Sequence, residues 1–302
     1  MPNRPAVSLV ATPTRRLAAV ELARETEQRG FGGIAIPSLG GGSLAQAVSI
    51  AHATTSIPFW TSIHPIYHAH ANEVAALASY AGEVSGGRFR LGLGVSHPPM
   101  MKRVGAAMSR PRTEMIEFVR AMQASSRFTG ELPPIWLAAL RDRMLETAAE
   151  IAAGTIWANS CLSDAAAQLA RVPAAAAEGF ARSVMIPTVI SDDHAAALAV
   201  HRKTMTSYVV MPSYRAYWKA CGYVEEMEAI EALLAAGDRS AITGPMSERW
   251  LRDVTAFGTR DEVFERLEAW EDLGITPIAV MSSTSGGQFA AIRELFDAFG
   301  PA

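Results

Sequence analysis

Short apolar runs of strand length alternate with alanine-rich segments of helical length along nearly the whole chain. Ala6 to Val10, Gly32 to Ile36, Ile57 to Ile63, Arg88 to Leu93, Pro134 to Ala138, Thr155 to Ala158, Arg182 to Ile190 and Thr276 to Met281 read as eight strands. The segments between them read as helices, because apolar residues there recur at helical spacing and Gly, Ser, Thr or Pro mark the boundaries. Strands separated by helices cannot pair as hairpins, so the sheet is parallel and its crossovers are helical. Eight such units in 302 residues favour a (β/α)8 barrel, a TIM barrel of about 250 residues plus insertions, over a doubly wound sheet. The chain reads as one domain over 1–302, with 192–257 a mostly helical insertion holding no convincing strand.

The fourth strand lies in Ser85-Gly86-Gly87-Arg88-Phe89-Arg90-Leu91-Gly92-Leu93-Gly94-Val95-Ser96-His97-Pro98-Pro99. Gly86 and Gly87 supply the positive φ of a tight turn, and Gly92 and Gly94 let another backbone or a flat ligand come close. The two prolines then end the strand. At about 3.3 Å per residue the Gly86–Arg88 end lies nearly 20 Å from the far end. Barrel chemistry sits at the C-terminal ends of strands. Arg88 is therefore assigned to structure, and Gly94 to His97 to function.

"SGGRF" running into "LGLG" resembles the bacterial luciferase-like monooxygenase superfamily, whose members include flavin-dependent monooxygenases and deazaflavin-dependent oxidoreductases. "GTRDEVFERLEAWEDLGITPIAV" is similar to that family's closing helix and strand. The resemblance implies a TIM barrel, a homodimer, and coenzyme F420 or, alternatively, FMN. It also implies a cis peptide between Ser62 and Ile63, within Thr61-Ser62-Ile63-His64-Pro65, behind the cofactor ring. By the same resemblance Ala138, Ala139, Leu140 and Arg141 lie where relatives hold the cofactor phosphate. There a strand end meets a helix start, and free amides with the helix dipole favour an anion. Leu140 and Arg141 replace the family's small residues, so backbone access is reduced while Arg141 adds charge. Arg141 and Arg143 as solvated surface residues are the ordinary alternative. Gly94, Val95 and Ser96 complete the expected cofactor wall.

Composition narrows the function classes. The chain is 49% hydrophobic and 19% charged, with a formal net charge of −3, which gives no electrostatic case for nucleic acid or an anionic membrane. No apolar run approaches the ~18 residues of a membrane span. Two cysteines, Cys161 and Cys221, support neither a disulfide framework nor a thiol zinc site. A cytoplasmic protein acting on a small molecule is expected.

His64, His68, His70 and His97 fall at or beyond strand ends, where histidine can move a proton near neutral pH. His97 and His64 are the candidate catalytic groups. His68-Ala69-His70 has the spacing of a metal pair, but later strands offer no further ligands, so no metal is assigned. His70 at a helix start is the plainer account. Alcohol-oxidising deazaflavin relatives often end the second strand with Asp-His, whereas this chain has Ser38-Leu39. A reductase is therefore favoured over an alcohol dehydrogenase. An FMN monooxygenase and a ligand-binding barrel without turnover are the competing classes. Lys102 and Arg103, in a loop with Arg110 and Arg112 beyond, would suit the acidic F420 tail or simply solvent. Phe59, Trp60, Tyr67 and Met100 would suit an apolar substrate pocket or the core.

Overall fold

A computed structural model of the chain describes residues 3–38, 41–106 and 109–300. These form two compact units, Asn3–Trp157 with Arg171–Ser183, and Ala158–Ala170 with the chain from Val184 onward.

The first unit runs β1 (Ala6–Ser8), α1 (Arg16–Gln28), β2 (Gly33–Ile36), α2 (Ser43–Ala53), β3 (Phe59–Thr61), β4 (His64–Pro65), α3 (Ala71–Val84), β5 (Phe89–Gly94), α4 (Pro98–Arg103), α5 (Pro111–Thr129), β6 (Ile135–Ala138), α6 (Asp142–Ile151) and β7 (Gly154–Ala158). Its strands pair in parallel in the order β1-β2-β3-β5-β6-β7, and β4 adds to β5. Every residue of β2 and β3 is buried, which is why these strands read as unbroken apolar runs rather than as alternation.

The second unit holds α7 (Leu162–Arg171), most of β8 (Ala181–Ile190), then α8 (His194–Val209), α9 (Pro212–Ala220), α10 (Val224–Ala235), α11 (Glu248–Val254), β9 (Ala256–Gly258), α12 (Arg260–Glu271), β10 (Thr276–Met281) and α13 (Gln288–Phe299). Pro173 stops α7 and starts a short 3₁₀ turn, Pro173–Ala176. β9 and β10 both pair with β8. Thr259 and Glu262 form a reciprocal capping box at the start of α12, satisfying two amides that the helix cannot. Among the described residues no helix is long and apolar enough to cross a membrane.

Four local expectations change. The 192–257 stretch ends in two residues of β9, because a strand of three residues is too short to carry a period. Met100 to Arg103 is the body of α4 rather than a loop. Pro98 and Pro99 open that helix instead of merely ending the strand, since proline's fixed φ suits the first helical turn. Ser43, which from sequence reads as the cap of the helix running to about Thr54, is instead the first residue of α2: Gly42, at φ 82°, occupies the cap position, and the serine hydroxyl is spent elsewhere.

Two charged residues tie the N-terminal ends of the strands together. Arg88 donates five hydrogen bonds, to Ser85 O (2.8 Å), Thr54 Oγ1 (2.8 Å), Ile57 O (3.1 Å), Ala51 O (3.0 Å) and Thr54 O (3.0 Å). Its guanidinium also lies 5.4 Å from the Phe59 ring centre. Gly86 and Gly87, at φ 62° and 80°, make the turn that aims it. Glu27 accepts from the amides of Thr55, Ser56 and Ile57 and from Ser56 Oγ. Burial pushes its carboxyl up, but those donors outweigh it and hold the carboxyl below the ordinary range.

Candidate active site

At the other end of these strands, Ser62 N donates to Ile36 O at 2.7 Å, fastening the end of β3 to β2. The Ser62–Ile63 peptide is cis, as the resemblance implied. Gly94 is where the chain closes over itself: a Cβ there would lie 2.6 Å from both Cγ1 and Cδ1 of Ile63 and 3.2 Å from the Ala138 Cβ. The close approach expected at Gly94 is thus made by Ile63. At Gly92 a Cβ would stand 1.9 Å from the Thr61 carbonyl oxygen, so only glycine lets β3 and β5 lie so near. Ile63, Gly94 and Ala138, named separately from sequence, meet as one apolar wall. Ser62 Oγ is buried beside it without a hydrogen-bond partner among the described residues.

The histidines separate. His64 pairs in register with Leu93 and Pro65 with Gly94, so His64 shares the face of buried Leu93. Its Nδ1 is 2.9 Å from Ser43 Oγ, the first residue of α2. Burial first, and His68 second, lower its pKa to about 4, so the ring is neutral at physiological pH. Its Nε2 is buried without a partner among the described residues. His97, at the N-cap of α4, is only half-buried, and burial lowers its pKa from the usual 6.5. Ser96 immediately before it holds a left-handed backbone, φ 63°, a conformation that a non-glycine residue rarely adopts and that recurs at functional sites. His70 caps α3, its Nδ1 accepting from Asn72 N at 3.3 Å. Among the described residues no group of three or more potential metal ligands assembles.

β6 passes from Ala138 through Ala139, whose N–H donates to Ile156 O (3.1 Å), and through Leu140 into α6. That helix has no side-chain cap. Arg141, at its N-cap, is exposed. Asp142, the acidic residue of the first turn, is drawn to Arg171 at 2.8 Å. Lys102 and Arg103 lie exposed on the last turn of α4. Arg112 leaves the expected basic cluster, since its Nε bonds Thr147 Oγ1 at 2.6 Å and its Nη2 approaches Glu150.

The expected aromatic pocket divides in the same way. Phe59 and Trp60 are core, 0% and 3% exposed, packed on Phe89 and Trp136, while Tyr67 and Met100 stay partly exposed. Tyr67 donates to Glu114, which also accepts from Ser109 and Arg110. The Tyr67 bond first, and the Arg110 amide next, hold that carboxyl down to about 2. Neither this pair nor Ser43–His64 carries a sequence signal, because each joins residues on different elements. A cleft of about 570 Å3 lined by Val119, Arg120, Leu132, Ile135 and Glu150 lies at the opposite, N-terminal end of β6 and holds none of the candidate residues. Leu39, which bears on alcohol oxidation, lies outside the described residues; Ser38 Oγ accepts from Gly41 N at 3.3 Å.

The sequence is 25% identical over 271 residues to a 5,10-methylenetetrahydromethanopterin reductase of Methanolobus tindarius, covering 81% of this chain and 83% of that protein. Among solved structures, the coenzyme F420-dependent tetrahydromethanopterin reductase of Methanopyrus kandleri superposes with a TM-score of 0.73 at 18% identity, covering 93% of both chains. An F420-dependent secondary alcohol dehydrogenase, solved with an F420–acetone adduct, gives 0.71 at 12% identity over 99% of this chain and 100% of that one. At these identities the structures speak to fold, and the fold is a (β/α)8 barrel of the luciferase-like type. The family model for luciferase-like monooxygenases matches residues 1–277. With the cis Ser62–Ile63 segment, the glycine-bearing fifth strand and the capped closing helix all in their places, the chain belongs to the luciferase-like monooxygenase family and is an oxidoreductase.

Proposed function

We propose that this enzyme transfers a hydride between coenzyme F420 and a small organic substrate, and that it works as a reductase in preference to an alcohol dehydrogenase. The observation that carries it is the wall where Ile63 sits in the space left by Gly94, with Ala138 alongside and half-buried His97 three residues beyond Gly94. A flat apolar surface at strand ends suits a tricyclic ring, and a titratable group at its edge suits a reaction that moves a proton with the hydride. The relatives named F420-dependent support that cofactor.

The donor set fits the cofactor's charges. The uncapped start of α6 offers free amides at Asp142 and Arg143 and the positive end of its dipole to a phosphate, with exposed Arg141 adding charge. Lys102 and Arg103 would receive an acidic tail. When bound, F420 supplies the hydride carrier itself. The protein's part is to hold the ring against Ile63, Gly94, Val95 and Ser96, to exclude water with the apolar wall, and to manage the proton. His97 is the group we assign to that proton, because it alone of the two candidate histidines is both partly exposed and at the strand end. Sealed against Ser43, His64 serves to position β4.

Fluorescence titration with F420 and, separately, with FMN tests the reading. Saturable F420 binding followed by single-turnover oxidation of reduced F420 by an activated double bond is expected. Oxygen consumption with reduced FMN and no F420 binding would overturn it in favour of the monooxygenase that the family's name suggests.

A further inference from the structure

The cleft at the N-terminal end of β6 is bounded by α5 on one side and the end of α6 on the other, and its volume is about 570 Å3. Small-molecule sites occupy roughly 300–1,000 Å3. Part of its lining is apolar: Val119 and Ile135 are 1% and 7% exposed, Pro133 is buried and Ile151 half-buried. Charge arrives from the two helices separately. On α5, Arg120 and Gln123 lie one turn apart and exposed, and among the described residues no hydrogen bond or ion pair engages either side chain. On α6, Glu150 lies in the last turn, which carries no basic residue. The final carbonyls of a helix have no partner within it, so the negative end of α6 adds to the Glu150 carboxylate. Arg112, outside the cleft, reaches Glu150 Oε2 only at 3.5 Å, with the two side chains 45% and 59% exposed. So long and exposed a pair is weak and leaves the carboxylate able to take a second donor.

We propose that this cleft binds a free amino acid with an apolar side chain. The Arg120 guanidinium takes the ligand carboxylate, and the Gln123 amide donates a further bond to it. Glu150 and the carbonyls that end α6 take the ammonium group. The ligand side chain lies against Val119, Pro133, Ile135 and Ile151. Both charged side chains are long and exposed, so they can converge on a head group whose two charges share one carbon. Other ligand classes use only part of this lining. A fatty acid would meet Glu150 and the negative helix end with nothing to pair them, and a simple amine would leave Arg120 facing its hydrocarbon. A phosphate would be repelled by the same carboxylate that an ammonium group satisfies. The site lies at the strand ends remote from the proposed cofactor wall, and nothing in it depends on the hydride chemistry or its cofactor.

The test is saturation-transfer NMR titration of the full chain with leucine, with isocaproate, which lacks the ammonium group, and with isoamylamine, which lacks the carboxylate. Leucine should bind saturably with a Kd of about 1 mM or tighter. Each of the two analogues should bind at least about tenfold more weakly. Arg120→Gln should weaken leucine by about tenfold or more and leave isoamylamine unchanged, whereas Glu150→Gln should weaken leucine equally and leave isocaproate unchanged. Both positions are exposed, so thermal melts of the variants should match that of the unmodified protein. No saturation by about 20 mM leucine would overturn the proposal. Leucine binding that neither substitution alters would overturn it too, by placing the ligand elsewhere. Isocaproate binding as tightly as leucine would also overturn it, since the carboxylate alone would then account for recognition.

Discussion

The two ends of β5 make opposite use of polar groups. At its N-terminal end Arg88 places five hydrogen bonds on four residues, and Glu27 gathers three consecutive amides nearby. At its C-terminal end Ser62 Oγ and His64 Nε2 are buried without partners among the described residues, Ser96 holds a rare backbone conformation, and α6 begins without a side-chain cap. Buried polar atoms are normally satisfied, so two open ones beside the proposed cofactor wall are compatible with the site proposed there. The lower end ties the strands together, and the upper end is where we place the proposed chemistry.

Arg88→Met should break the contrast most severely. It strips donors from the carbonyls of Ala51, Thr54 and Ile57 and should cost about 3 kcal/mol in denaturant unfolding, with cofactor affinity of the remaining folded protein unchanged. A loss of affinity at full stability would make the lower end functional. Acid comes next. His64 and His201 are held neutral with pKa values lowered to about 4, so the unfolded chain binds more protons below the ordinary 6.5. The stability they contribute is fully present above pH 6.5 and is lost as pH falls from 6.5 to 4, on the order of 3 kcal/mol per ring. Calorimetry from pH 7.5 to 4 should show Tm falling, and a flat profile would mean that these rings are not sealed.

His97→Ala should lower reductive turnover at least about tenfold with little change in Tm or cofactor affinity. Because burial lowers the His97 pKa, its protonated form is scarce at pH 7, so reductive turnover in the unmodified protein should climb as pH drops below 6.5, and the variant should lose that climb. Equal turnover in the two proteins would move the proton to solvent or substrate. The smallest effect belongs to Arg141→Ala, since this side chain is exposed. A few-fold weaker binding of F420 that disappears in high salt is expected, and unchanged binding at low salt would leave the phosphate elsewhere.

How far the sequence carried this differs along the same line. The strand–helix alternation, the Gly86-Gly87 turn, the structural role of Arg88 and the His70 helix start were legible, because each is fixed within a few residues, and the cis segment was implied by the family resemblance. What was not legible joins distant positions. Ser43 looked like a helix cap, and only the fold brings His64 to its hydroxyl. Gly94 left room for another backbone or a flat ligand, and only the fold fills it with Ile63. Phe59 and Trp60 could be read as pocket or as core, and only the fold packs them on Phe89 and Trp136. Local pattern sets the elements, whereas the partner of a polar or aromatic side chain depends on the topology.

Arg88 also bears on the order in which the molecule can assemble. The last carbonyls of α2 and the loop after it receive their donors from a residue 37 positions beyond Ala51, on the far side of β3, α3 and a tight turn. A nascent or truncated chain that stops short of that turn has a helix whose end is still hydrated and a third strand with no neighbour at β5. The first three strand–helix units are therefore not a self-sufficient fragment. Cutting the gene for a minimal half-barrel should be done beyond β5, where the arginine has already locked what precedes it.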